Sequence, residues 1–220
     1  MDWQAVLLSL KLAFCTTLVL ALVGLPIAAW LASTRRRWKP LVEAFVALPL
    51  VLPPTVLGFY VLVAFGSQSP LGRAYADLFG HSLPFTFAGL LVASVLYSLP
   101  FAVQPFAAAL GSVDRRLVEA SWSLGASRFE TFCRIDVPIA WAGIARGLIL
   151  TFAHTLGEFG VVLMVGGAIP GETRTVSISI YDQVQSLDYA AAGKTSALLL
   201  VFSFAVLVLA STLDRKEKPT

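Results

Sequence analysis

Five long apolar stretches dominate the chain, at roughly 8–33, 42–65, 86–110, 139–167 and 194–213. Charge is absent from most of their length: residues 12–34, 44–72, 82–113 and 195–213 contain no Asp, Glu, Lys or Arg. A helix that crosses the hydrocarbon of a bilayer needs about 20 apolar residues, whereas a barrel strand needs only about 10. Only helices and closed barrels satisfy their own backbone in lipid, and these stretches are too long for strands. The pattern predicts an all-α, polytopic membrane protein with about five transmembrane helices. It forms one transmembrane domain over 1–220, with a more polar insert at 112–138. The first stretch opens on a charged turn, which leaves room for a sixth, short helix. It reads as a span and not as a cleaved leader, because it is long, carries Asp2 in place of a basic start and has no small-residue cleavage site.

Composition narrows the class. Of 220 residues, 57% are hydrophobic and 13% charged, against about 45–50% and about 25% in soluble domains. Mean hydropathy is +0.80. A soluble globular enzyme, a disordered chain and a nucleic-acid-binding domain are all excluded by these long charge-free stretches. The net charge of +3 reflects orientation. Arg35, Arg36, Arg37 and Lys39 occupy one loop, Arg115, Arg116, Arg128 and Arg134 another, and Arg215, Lys216 and Lys218 the tail. Lys11, Arg73, Arg174 and Lys194 lie on the opposite side of five alternating spans. The positive-inside rule then places the N-terminus outside and the C-terminus in the cytoplasm. Cys15 and Cys133 are far apart and match neither a disulfide framework nor a metal-binding spacing.

Prolines punctuate the apolar runs: Pro26, the cluster Pro49, Pro53 and Pro54, and the pair Pro100 and Pro105. Each removes a backbone hydrogen bond and kinks a helix. Such kinks serve either packing or hinging.

The 112–138 insert, SVDRRLVEASWSLGASRFETFCRIDVP, has helical and not loop-like patterning. Leu117, Ala120, Ser121 and Leu124 recur at helical spacing, with Asp114 in the first turn, where the helix dipole favours an acid. Gly125 supplies a stop. Ser127 followed by Glu130 reads as a capping box that opens a second helix, whose apolar stripe is Phe129, Phe132 and Cys133. Four acids (Asp114, Glu119, Glu130, Asp136) balance four arginines. An element resting on anionic lipid is usually basic, so this balance, with the flat patch Ala120, Ser121, Gly125 and Ala126, favours docking to a protein.

Glu119-Ala120-Ser121, Gly125 six residues after the Glu, and Ile135-Asp136-Val137-Pro138 resemble the EAA loop of ABC-importer permeases, with Ser121 replacing Ala and Val137 replacing Leu. The resemblance implies a coupling-helix pair that docks on a separate ATP-hydrolysing subunit through Glu119, Ala120, Ser121, Leu124, Gly125, Ala126 and Arg128. It extends along the chain: LPLVLPP at 48–54, LGEFG at 156–160 and IPGETRT at 169–175 are similar to the molybdate branch of the sulfate/tungstate/molybdate permeases. That implies a homodimer in a bacterial or archaeal cytoplasmic membrane, two ATPase subunits inside and an oxyanion-binding protein outside. Sulfate or tungstate permeases remain the alternatives within the class.

No nucleotide-binding GxxxxGK[ST] occurs, so ATP and Mg belong to the partner, and this chain is assigned no cofactor and no metal site. No catalytic constellation appears. His154 and Glu158, four residues apart on one helix, form either an interhelical contact or, in an integral-membrane enzyme, its polar centre. Glu158 is an intramembrane acid and hence a functional candidate, although a bare carboxylate repels an anion. Its expected role is to cap the turn at Gly157 and Gly160 or to pair with another span. Arg146 is placed to snorkel or to line an anion exit. Thr151, Thr155, Glu158, Ser177 and Ser179 are the translocation-path candidates by residue type. Segment 168–194 is expected to form a turn followed by a short, partly buried helix or a re-entrant stretch, near the outer gate or the docking surface for an external binding protein. A secondary transporter would commonly show internal repeats, and none is seen.

Overall fold

The structure, a computed structural model, describes residues 2–215; the tail residues Lys216 and Lys218 lie outside that range. Helix α1, Trp3–Ser33, is one unbroken run of 31 residues. Asp2 caps it by accepting from the Ala5 amide at 3.0 Å, and Pro26 sits inside it. The first stretch therefore does not divide. A short extra helix, α4, lies instead at Pro70–Phe79, capped by Ser69 and closed by Gly80 in the left-handed region.

The second stretch is bent. Helix α2, Lys39–Val51, and helix α3, Pro54–Phe65, meet at 112°. Leu52 is extended (ψ 134°), as expected of a residue before proline, and Pro53 and Pro54 offer no amide to continue the ladder. The single span expected over 42–65 is thus a broken pair. Helix α5, Phe87–Gly111, is continuous despite Pro100 and Pro105.

After α5 comes the polar insert: α6, Arg115–Ser123, and α7, Arg128–Ile139, which turns 76° into α8, Trp141–Gly157. Residues Phe132–Asp136 of α7 form a π-helical turn. The fourth expected span, 139–167, breaks at Glu158–Phe159, and a separate short helix α9, Gly160–Gly166, follows. Helix α10 covers Val176–Gln185 and α11 covers Tyr189–Arg215, so the expected turn and short helix after 168 are present. Among the described residues, helices α1, α5 and α11 are each long and apolar enough to cross a membrane, and the two bent pairs raise the total to as many as five spans.

Small residues let these helices approach closely, the usual packing solution in lipid, where apolar surface alone gives no drive. The main core joins α1, α5 and α8 through Leu20, Ala28, Val103, Phe106 and Ile144. A Cβ on Gly143 would stand 2.5 Å from that of Ala109, and one on Gly147 2.7 Å from the Phe106 ring. The outward faces of α1 and α11 expose Leu22, Leu200 and Phe204, as lipid-facing helices do.

Candidate functional site

The polar insert folds into an elbow whose geometry is set locally. Asp114 caps α6 by accepting from the Arg116 amide at 2.9 Å. The chain then leaves α6 through a Schellman turn: the Ala126 amide donates to the Ser121 carbonyl at 3.1 Å and the Gly125 amide to the Trp122 carbonyl at 3.0 Å. This closure needs a left-handed residue, and Gly125 has φ +89°. Ser127 reopens a helix by accepting from the Glu130 amide at 3.2 Å.

Inside the elbow, the Ser121 and Thr131 hydroxyls meet at 3.0 Å, both buried. Ser121 is therefore an internal pin between α6 and α7 and not a surface contact, which corrects its assignment to the docking face. The serine that departs from the EAA pattern has this specific partner.

The other docking candidates lie at or near the surface. Glu119 is exposed and held by Arg115 at 3.1 Å. Ala120 and Gly125 are exposed, and Ala126 is half-buried. Arg128 lies over the Trp122 ring at 5.8 Å. Leu124 is 89% and Phe129 77% exposed, apolar surface at the tip of a charged element and of the kind that marks an interaction site.

A second polar group lies between α5 and α8. Ser98 Oγ is 2.9 Å from Thr155 Oγ1 and 3.0 Å from His154 Nδ1. Thr155 donates to the Thr151 carbonyl at 2.9 Å, so every hydrogen is placed if His154 donates to Ser98 and Ser98 to Thr155. The His154 ring stacks on Phe101 with centroids 3.8 Å apart. This is the interhelical contact, and no bond joins His154 to Glu158 among those described. Thr151 is fully buried and donates to the Gly147 carbonyl at 2.8 Å.

Glu158 is 5% exposed. Its carboxylate accepts no hydrogen bond from the Gly157–Gly160 turn among the described residues, so the capping role is not observed. It lies beside Ser94 and Tyr97 of α5. Sequence reasoning did not single out Ser94, Tyr97 and Ser98. Their signal was a serine pair spaced by four in an uncharged span, which puts both on one face.

Ser177 and Ser179 belong to a different layer. Ser179 is buried and accepts from Gln183 Nε2 at 3.4 Å, and Ser177 is half-buried. Their helix is pinned to α1 by the Val176 amide, which donates to Ser9 Oγ at 2.8 Å. Arg174 lies 3.9 Å from Asp2 and 3.5 Å from Asp182. The five path candidates thus divide, with Thr151, Thr155 and Glu158 on the α5–α8 seam and the two serines on α10. No group of three or more His, Cys, Asp or Glu that would hold a metal occurs among the described residues.

A cleft of about 630 Å³ opens at the elbow end of the α5–α8 seam and includes Gln104, Gly143 and Arg146 in its walls.

Residues 24–218 match the family described as binding-protein-dependent transport system inner membrane component. A molybdenum transport system permease protein, ModB, of Azotobacter vinelandii is 52% identical over 94% of this chain and 91% of its own length. The ModB of Escherichia coli K12 is 38% identical over 84% of this chain and 81% of its own. Among solved structures, a bacterial ABC transporter involved in the import of alginate superposes with a TM-score of 0.75 at 18% identity, covering 98% of this chain and 79% of that one.

Proposed function

The chain belongs to the family of binding-protein-dependent transport system inner membrane components, and from that premise we propose that it is the membrane permease of a molybdate importer. Two copies form the path. An ABC ATPase docks on each elbow in the cytoplasm, and an external binding protein delivers the anion. The N-terminus lies outside and the C-terminus inside.

One observation carries the mechanical half of this reading. The elbow bares Leu124 and Phe129, and α7 runs directly into α8 through a 76° corner at Ala140. A partner that grips Glu119–Gly125 therefore pulls on the base of a membrane helix. The π-turn at Phe132–Asp136 lies in that connection, and such turns are frequent at functional sites. ATP-driven closure of two such partners rotates the two α8 helices together, and the path alternates between inside and outside. The oxyanion identity rests on the 52% relative.

The test is reconstitution with the ATPase and binding protein, followed by uptake of molybdate, tungstate and sulfate. ATP-dependent molybdate uptake is expected, and it should be lost in Gly125→Asp with the ATPase no longer bound. Uptake without ATP, or preference for sulfate at equal concentration, refutes the proposal. The integral-membrane enzyme predicts partner-free activity that is lost in His154→Ala. The engagement of that ring by Ser98 and Phe101 favours a packing role instead.

A further inference from the structure

We propose that the groove between α1 and α2 binds one anionic phospholipid of the cytoplasmic leaflet, with an acyl chain against Trp30 and Trp38 and its phosphate held by Arg35, Arg36 and Arg37. The choice of leaflet rests on the orientation of the importer reading; the site itself is built from the side chains of the α1–α2 corner.

The groove encloses about 320 Å³ and is lined by Pro26, Ile27, Trp30, Trp38 and Val42. It exists because α2 packs mainly on α5 and leaves the flank of α1 open. Ile27, Trp30 and Val42 rest on the main core, so the floor is fixed. The rings of Trp30 and Trp38 meet at 4.9 Å, tilted by 41°, and Trp38 is 47% exposed. Pro26 lies one turn before Trp30, about 6 Å further from the corner. Apart from the indole N–H groups these walls are apolar, so they suit a hydrocarbon chain and not a soluble polar ligand. Indoles at the end of a span sit where hydrocarbon meets headgroups.

The mouth of the groove is cationic and uncommitted. Arg35, Arg36 and Arg37 are exposed, and none forms an ion pair among the described residues. Arg36 lies over the Trp38 ring at 5.9 Å, a contact through the flat face of the guanidinium that leaves its N–H edge open. The acid nearest the corner in sequence, Glu43, is already held by Lys39 at 3.6 Å. Helix α2 begins there with no side-chain cap, so the positive end of its dipole adds to the field. An orientation signal alone accounts for the arginines, but not for an aromatic groove beneath them. A basic cluster over a pocket between spans is the combination that takes an anionic headgroup. A second copy of the chain fits less well, because Glu119 and Glu130 of its elbow are already paired with Arg115 and Arg134.

The experiment uses the full chain with its ATPase in detergent, given equimolar phosphatidylglycerol and phosphatidylcholine. Native mass spectrometry reads the lipid retained per protomer. One phosphatidylglycerol is expected, in preference to phosphatidylcholine. Changing one arginine to Gln should weaken retention roughly fivefold, and changing all three about a hundredfold, whereas the triple Lys variant should keep most of it. Trp38→Ala, which leaves every charge in place, should also weaken it, since the chain loses a wall. Excess glycerol phosphate should displace no lipid. Co-purification of the ATPase shows that each variant is assembled. Equal retention of the two lipids, unchanged retention in an assembled triple Gln or Trp38→Ala variant, or displacement by glycerol phosphate overturns the site. A second copy covering the groove, read as a disulfide between two Trp38→Cys chains, overturns it as well. Reconstituting the same preparation with the binding protein separates this site from the importer reading. ATP-dependent molybdate uptake without lipid preference overturns the lipid site alone, and lipid preference without oxyanion uptake overturns the importer alone.

Discussion

Gly125 provides the sharpest test of the elbow. Its φ of +89° is a region that alanine enters at a cost of about 1–2 kcal/mol, and a Cβ there would meet no atom within 4 Å. Gly125→Ala therefore adds backbone strain and nothing else. The Schellman closure, made by the 3.1 Å and 3.0 Å bonds to Ser121 and Trp122, loses that amount relative to frayed alternatives. A difference of 1–2 kcal/mol is roughly a 5- to 30-fold change in an equilibrium. An ATPase that grips only the closed elbow should bind more weakly by the same factor. The assay is a binding titration of purified ATPase against permease in nanodiscs. Asparagine tolerates the left-handed region better than alanine, so affinity should fall in the order Gly, Asn, Ala. Gly111 is the control, because it is helical, not left-handed, and also has open space around it. Wild-type affinity in Gly125→Ala, or an equal loss in Gly111→Ala, would refute the strain argument.

Three further outcomes follow from the packing. Ser121→Ala removes the 3.0 Å contact to Thr131, but Thr131 still donates to the Ser127 carbonyl. The elbow should loosen by about 1 kcal/mol, seen as faster amide exchange in 115–131 with no change in membrane-helix protection. Gly147→Ala drives a Cβ to 2.7 Å from the fully buried Phe106 ring. It should cost about 1–3 kcal/mol and lower the Tm in detergent by several degrees, while Gly193→Ala, with open space around it, should leave Tm alone. Glu158→Gln swaps a buried carboxyl group beside Ser94 for an amide of the same shape, so Tm should hold or rise. A fall of several degrees would mean that the carboxylate has a stabilising partner in the assembled transporter.

What the sequence determined by itself is local. Hydropathy over 20-residue windows is a property of consecutive residues, so the apolar stretches and the all-α class were legible. The elbow was also legible in its Gly125 turn and its Ser127 cap, which act within four or five residues of themselves, whereas Asp114, expected inside the first turn, is the cap that precedes it. Whether a proline kinks, breaks or merely rides in a helix was decided by tertiary structure. Pro26, Pro100 and Pro105 sit in continuous helices, whereas Pro53 and Pro54 turn the chain by 112°. The fourth stretch broke at Glu158 for a similar non-local reason. Gly160 packs where a Cβ would lie 2.7 Å from Pro54, a contact between residues more than a hundred positions apart. The Ser98–His154 bond and the cleft holding Gln104 and Arg146 arise in the same way. Residue type marks these side chains as polar in an apolar span, but only the register of α5 against α8 makes them neighbours. That register is set by how closely glycines 143 and 147 allow the two backbones to approach.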